Sequence, residues 1–296
     1  MQKSTALFLS LCSIVTVTFF SCVPQKQVTT TKQQLTEVDA QLQQHSTDLK
    51  SLDQKRQTKK DKNEIDDTAS NRLNKFIGQT NSEIDKLVAE NTLLIGTTSV
   101  NKDDWERLQA ALTVSKSTSK LIGNKVALID ELINRTTVIK LEQDLIFGPG
   151  QYVLSPANAN NINKVFAPAT KEIDYFIKKY PDFPLSLVIT ARGYADATTI
   201  SESSGLYRSL QERLKMSGRP PTAEDLNKEL SSARAESVIK LLKTYSISKS
   251  ADGTDIKVLH LYEGKGDKFP DPKLTDYKAD DPRRRVVLLF WSLFPD

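Results

Sequence analysis

Leucine and valine recur at alternating spacings of three and four residues in the polar segment from Val28 to Arg56. With His45 counted as its polar member, this is the heptad seam of a long helix, made of Leu35, Val38, Leu42, His45, Leu49 and Leu52. A helix of thirty residues is about 45 Å long. The pattern predicts a tether and coiled-coil spacer over residues 22–65, through which a homo-oligomer can form.

Helical periodicity continues from residue 66 to 141, where apolar residues again recur every three or four positions. The polar stretch at 99–103 interrupts it, and Asn101 or Asp103 can cap the helix that carries Trp105. This region is predicted to form two or three helices that fold back on each other or oligomerise.

The helical periodicity ends at Leu145-Ile146-Phe147, a short apolar run that is followed by Gly-Pro-Gly. This change indicates a domain boundary, and a further domain is predicted at 142–296. Ser155-Pro156 has the form of a helix start. The later elements are a helix and three strands, at 230–245 and at 185–191, 256–262 and 285–294. The order strand, helix, strand, helix, strand, strand predicts an α+β domain with helices on one face of a mixed sheet.

The first 21 residues carry a single charge, Lys3, and an apolar run that stops at Ser21-Cys22. This is the outline of a secretory signal. The small residue before cysteine resembles a lipobox, although Phe19 stands where that motif usually has leucine. Lipidation would make Cys22 the first mature residue and give it acyl chains sufficient for stable anchoring. The alternative is an uncleaved membrane anchor, for which the apolar run is short.

Composition removes several classes of chemistry. The net charge is only +4, and basic residues alternate with acidic ones, so nucleic acid is not an expected partner. Both cysteines, Cys12 and Cys22, belong to the N-terminal segment, and the two histidines, His45 and His260, are far apart. We therefore expect no catalytic residues, no metal site, no cofactor and no enzymatic activity.

Four short motifs follow one another in the C-terminal domain, at 193–196, 227–238, 264–267 and 284–286. They read Gly-Tyr-Ala-Asp, Asn-x-x-Leu-Ser-x-x-Arg-Ala-x-x-Val, Gly-x-Gly-Asp and Arg-Arg-Val. Together they resemble the signatures of OmpA-like C-terminal domains, the family shared by Pal lipoproteins and MotB stator proteins. The resemblance covers about Leu145 to Phe294 and implies a βαβαββ sandwich that binds the diaminopimelate-containing stem peptide of peptidoglycan.

The resemblance also implies the site. Asp196 would accept a hydrogen bond from the ligand ammonium and Arg234 would bind its carboxylate, for which a planar guanidinium is suited. Backbone N–H groups at a helix start would add donors, and Arg285 would either close the site or anchor the last strand. The remaining predicted site residues are Leu230, Ser231, Tyr194, Ala195 and Asn227, the last as a cap or turn.

Two features depart from the family pattern. Ala195 stands where the family often has threonine, and a long insertion occupies about residues 198–226. The insertion either rims the site and alters its ligand or extends a surface loop.

These observations predict a periplasm-facing outer-membrane lipoprotein that tethers the outer membrane to the wall. Its expected partners are peptidoglycan and, through the lipid, the membrane. The alternative is a wall-gripping component of an envelope force-coupling or secretion complex with an uncleaved N-terminal anchor.

Overall fold

A computed structural model describes residues 24–135, 137–148, 150–181, 183–215, 219–250, 257–271 and 273–295. The predicted signal segment at 1–21 and the lipidation site Cys22 lie outside the described residues. The helices are α1 (Gln25–Asp61), α2 (Asp67–Gly96), α3 (Lys102–Asn134), α4 (Gln143–Ile146), α5 (Pro156–Lys179), α6 (Gly205–Leu214) and α7 (Ala223–Ser250). The strands are β1 (Thr137–Glu142), β2 (Leu185–Gly193), β3 (Lys257–Gly264) and β4 (Val286–Pro295), and a 3-10 turn spans Pro282–Arg284.

Helices α1, α2 and α3 form an antiparallel three-helix bundle. The apolar members of the predicted seam are buried in it: Leu35, Val38, Leu42, Leu49 and Leu52. The predicted buried stripe is therefore confirmed, but its partners are α2 and α3 of the same chain. These seam residues are therefore already covered within one molecule, and the formation of a homo-oligomer stays a prediction.

A polar layer crosses the bundle and joins its three helices. Asn91 Nδ2 of α2 donates to Asp39 Oδ1 of α1 at 2.6 Å, and Ser115 Oγ of α3 donates to Asn91 Oδ1 at 2.7 Å. All three side chains are buried. Burial raises the pKa of the Asp39 carboxyl, and the bond from Asn91 partly opposes this. Such a layer fixes the helix register, since any slip would leave buried polar groups unpaired.

The helix caps follow from the local sequence. Asp66 precedes α2 and accepts from the backbone N–H groups of Thr68 and Ala69. Asn101 and Asp104 form a reciprocal capping box at the start of α3, so the predicted break is confirmed and Asn101 is the cap.

The four strands form one mixed sheet in the order β1-β4-β2-β3. Strand β4 is antiparallel to both β1 and β2, whereas β2 and β3 are parallel. The prediction of a helical region ending at 141 is wrong at its last residues, because β1 covers Thr137–Glu142. Its Thr-Val-Ile run is β-branched and favours a strand.

Both faces of the sheet are covered, which corrects the prediction of helices on one face. Helix α7 packs so closely on one face that a Cβ at Gly193 would lie 2.0 Å from the carbonyl oxygen of Ser231. On the other face, Arg192 pairs with Asp67 of α2 at 3.5 Å. All nine residues of β2 are accordingly buried. The bundle and the α+β domain share one apolar core.

Helix α1 points away from the domain. Its C-terminal end reaches the loop after β3, where Asn63 Nδ2 donates to the carbonyl of Pro270 at 3.4 Å. With 37 residues the helix is about 55 Å long, so Gln25 lies far from that loop. Within the described residues, no helix combines the length and apolarity needed to cross a membrane.

Candidate functional site

A cavity of about 450 Å³ opens where β2 ends and β4 begins. Its charged lining is Asp144, Asp196, Arg234 and Arg285, and its apolar lining is Phe147, Ala195, Ile200, Leu206 and Leu230. Thr198, Asn227, Gly148 and Gly150 complete it. The fold thus brings Asp196 and Arg234 onto one cavity, although the long insertion separates them in the chain.

Arg234 is a buried cation, and two of its five N–H donors are bonded to described residues. Its Nε donates to the carbonyl of Gln151 at 3.1 Å, its Nη1 donates to Oε1 of Gln143, and its guanidinium lies over the ring of Phe147 at 5.6 Å. Burial lowers the pKa of Arg234 to about 10, against the opposing effect of Asp144 and Asp196, so the side chain is charged at neutral pH. No hydrogen bond joins Nη2 to another described residue, and Arg234 lines the cavity, so N–H donors of this guanidinium remain for an anion there.

Gln143 orients this guanidinium and was not predicted. Its Nε2 donates to the carbonyls of Tyr194 and Val286, at 2.7 and 3.0 Å, which fixes the amide so that Oε1 faces Arg234. Its backbone N–H also bonds to the carbonyl of Arg285 at 3.0 Å. A glutamine between a strand and a short helix has no sequence signature, so no signal in the chain could have identified it.

Arg285 lies between two carboxylates. Its Nη1 donates to Asp196 Oδ2 at 3.1 Å, and its Nη2 donates to Asp144 Oδ2 at 2.8 Å. Asp196 also accepts from the backbone N–H and the hydroxyl of Thr198. Arg285 thereby lines the cavity and joins α4 to the segment after β2, and its role at the site stays a prediction. Asp144 was missed, although a carboxylate directly after a strand end is a usual position for a site residue.

Two predicted site residues do not line the cavity. Ser231 Oγ donates to the carbonyl of Lys228 and accepts from the N–H of Gly266 at 2.9 Å, which ties the loop after β3 to α7. The Tyr194 side chain is buried with Val286, and burial raises the pKa of its phenol. Both side chains are structural.

The predicted helix start at Asn227 is also wrong. Helix α7 begins at Ala223, and Thr222 caps it by accepting from the N–H of Asp225 at 3.2 Å. The backbone N–H groups of Leu230 and Ser231 therefore lie inside the helix, where they are used in helical hydrogen bonds. Asn227 instead donates from Nδ2 to the carbonyl of Thr198 at 3.3 Å and holds the start of the insertion.

Gly193, Gly264 and Arg284, which belong to three of the predicted motifs, have packing roles. A Cβ at Gly264 would lie 2.5 Å from the carbonyl oxygen of Lys228, so this strand, like β2 at Gly193, needs glycine where α7 crosses it. Arg284 donates to the carbonyls of Asp267 and Lys278 and fastens the loop between β3 and β4. The two glycines therefore allow α7, and with it Arg234, to pack directly on the sheet.

The insertion forms one side of the cavity. Thr198, Ile200 and Leu206 line it, which decides between the rim and the surface loop in favour of the rim. Helix α6 is docked through a buried cluster centred on Leu210. Arg213 adds ion pairs to Glu229 and Glu236 of α7, both at 2.7 Å.

The charged lining consists of two arginines and two aspartates, so its formal charges cancel. This arrangement suits a zwitterion, with a carboxylate on Arg234 and an ammonium near Asp196 and Asp144. No group of three or more metal-ligating side chains occurs within the described part of the chain.

No family model matches the chain, and no curated protein matches it. Solved structures similar to it include the periplasmic domain of Helicobacter pylori MotB, with 17% identity over 54% of this chain and 83% of that one, at a TM-score of 0.32. A putative MotB-like protein from Desulfovibrio vulgaris has 15% identity over 54% of this chain and 74% of its own, at a TM-score of 0.28. Identities and TM-scores this low carry no inference about function.

Proposed function

We propose that this chain is a non-enzymatic cell-envelope protein that binds peptidoglycan through the cavity between β2 and β4. The observation that carries the proposal is that Arg234, which has N–H donors not bonded to described residues, lines the same cavity as Asp196. A stem-peptide diamino acid has a free ammonium and carboxylate on one carbon, and this pair of charges matches the cavity lining. The four motifs that resemble the OmpA-like family support the same ligand.

Burial strengthens the expected interaction. Arg234 is only 7% exposed, so it has lost most of its hydration and gains more from a bound carboxylate than a surface arginine would. Its rotamer is already fixed by Gln143 and Gln151, which lowers the entropy cost of binding.

We further propose that Cys22 is lipidated and that the protein links the outer membrane to the wall from the periplasmic side. The length of α1, about 55 Å, separates Gln25 from the domain and supports a spacer role for the bundle as a whole. Mass spectrometry of the N-terminus tests this part. A diacylated or triacylated Cys22 is expected, whereas an intact Met1 would favour the force-coupling or secretion alternative.

Sedimentation of the full-length chain with purified diaminopimelate-type peptidoglycan in mild detergent tests the binding. The wild type is expected in the pellet, and Arg234→Ala and Asp196→Ala in the supernatant. Arg107→Ala, an exposed arginine on α3, is the control and should pellet like the wild type. If the wild type stays soluble, or if both site variants pellet undiminished, the proposal is wrong.

A further inference from the structure

One half of the cavity is apolar, and the insertion supplies much of it. Ile200 and Leu206 come from the insertion, whereas Leu230 comes from α7 and Phe147 from the segment after α4. Ile200 and Leu206 are only partly buried, because the cavity leaves part of each side chain uncovered. A zwitterionic group alone would need the charged half only.

The apolar side of the cavity, formed by Ile200, Leu206 and Leu230, is held in place by packing. Leu210 of α6 is fully buried against Leu226 and Leu230, and Ile200 and Leu206 pack on the same cluster. Ser204 caps α6 by accepting from the N–H of Tyr207 at 3.0 Å. This apolar side is thus formed before a ligand binds. A preformed apolar surface can bind an aliphatic group at little entropic cost.

The apolar and charged halves meet at Thr198. Its side-chain hydroxyl and backbone N–H bond to Asp196, its carbonyl accepts from Asn227, and Ile200 follows two residues later. A ligand ammonium bound to Asp196 would therefore lie next to the apolar side of the cavity. The ligand must carry an aliphatic group directly beside its charged end.

We propose that Ile200 and Leu206 form an aliphatic subsite that selects the part of the stem peptide adjoining the bound zwitterion. This inference rests on the proposed function and adds a specificity that the insertion confers. The methylene chain of the diamino acid has the required chemistry, because it adjoins the carbon that bears the free ammonium and carboxylate.

The test measures binding of two soluble stem peptides to the full-length chain by isothermal titration calorimetry. The tripeptide ends at diaminopimelate and the tetrapeptide adds D-alanine. Ile200→Thr keeps the β-branch but replaces an ethyl group by a hydroxyl, and Leu206→Asn keeps the branched shape, so each removes apolar character without adding volume. Val153→Thr is the matched control, since Val153 is an exposed apolar residue of the neighbouring loop that does not line the cavity.

We expect Ile200→Thr and Leu206→Asn each to bind the peptides about three- to tenfold more weakly than the control does. This is the loss expected when one or two methylene groups of the ligand stay unburied. Equal loss for both peptides supports the methylene chain, and loss confined to the tetrapeptide, which would place the alanine methyl at these residues, contradicts the proposal. Thermal unfolding shows whether a variant is folded, and the second variant serves if one is not.

The subsite is refuted if the wild type binds the peptides, Arg234→Ala abolishes that binding, and both Ile200→Thr and Leu206→Asn bind them like the control. Failure of the proposed function looks different, because the wild type itself would then bind neither peptide.

Discussion

Arg234 and Gln143 are 91 positions apart in the chain, and the guanidinium of one donates to the amide oxygen of the other. Gln143 is in turn bonded to the carbonyls of Tyr194 and Val286, at the end of β2 and the start of β4. The orientation of the Arg234 guanidinium is therefore determined by the sheet itself. Any ligand that requires Arg234 also requires this amide.

Gln143→Leu tests that dependence. The substitution removes the acceptor for Arg234 and leaves two buried carbonyls without their donor, so we expect a loss of about 1–3 kcal/mol in the free energy of unfolding. We also expect peptidoglycan affinity to fall by roughly tenfold, because one hydrogen bond to a charged group is worth about 1.5–3 kcal/mol. Chemical denaturation and sedimentation measure the two effects.

Asn91→Leu provides the comparison for this variant, since Asn91 is a buried amide of the bundle and remote from the cavity. It should lose stability but keep wild-type affinity. Equal affinity loss in both variants would show that Gln143 acts only through stability.

The two carboxylates around Arg285 should contribute unequally to binding. Asp196 has 12% of its side chain exposed and Asp144 has 56%, so a charge on Asp196 is less screened by solvent. We expect Asp196→Asn to weaken peptide binding by about tenfold or more, and Asp144→Asn by about two- to threefold. Calorimetric titration with the stem tripeptide measures both, and a larger effect at Asp144 would contradict this ranking.

Some of this arrangement follows from the sequence and some does not. The heptad stripe was predictable because burial imposes a period on leucines such as Leu42 and Leu49. Its intramolecular partner was not, since the same stripe can pack against any apolar helix face. Strand β1 was missed because six residues that directly follow α3, with no glycine or proline break, give too little pattern to separate a strand from a helix end.

The site shows the same division. Asp196 and Arg234 were identified because each lies within a recurring motif, and both do line the cavity. Asp144 and Gln143 lie outside every motif, and their roles come from long-range packing. Ser231 was misassigned because a residue that packs a helix on a sheet can recur in a motif as regularly as one that touches a ligand.

The buried carboxyl of Asp39 predicts a pH-dependent stability of the bundle. Because its pKa is raised in the folded state, folding retains a proton there that the unfolded chain releases. The contribution is favourable below the unfolded pKa and is lost as pH rises through the folded pKa. We expect Asp39→Asn, which has no charge to bury, to melt above the wild type at pH 7.5.

The comparison across pH checks the sign. The difference in Tm between Asp39→Asn and the wild type should shrink at pH 4, because the raised pKa lets the wild-type carboxyl take up a proton as the pH falls. A difference that stays constant, or grows toward acid pH, would show that the Asp39 charge carries no such cost.

Helix α7 packs very closely on the sheet at Gly193. At Gly193 any side chain would enter the space of the Ser231 carbonyl, since a Cβ would lie 2.0 Å from its oxygen. Gly193→Ala must push α7 outward, and Arg234, one turn further along that helix, moves with it. We expect a loss of about 1–3 kcal/mol in the free energy of unfolding, as for other overpacked interiors.

Peptidoglycan affinity should fall together with stability in Gly193→Ala, because the displaced guanidinium no longer reaches Gln143 and the cavity at once. Gly78→Ala is the control. Gly78 lies within α2, where a Cβ would meet nothing within 4 Å, and replacing a helical glycine by alanine should add up to about 1 kcal/mol of stability. If Gly193→Ala folds and binds like the wild type, then α7 is free to shift without disturbing Arg234, and the rigid coupling between sheet and site is wrong.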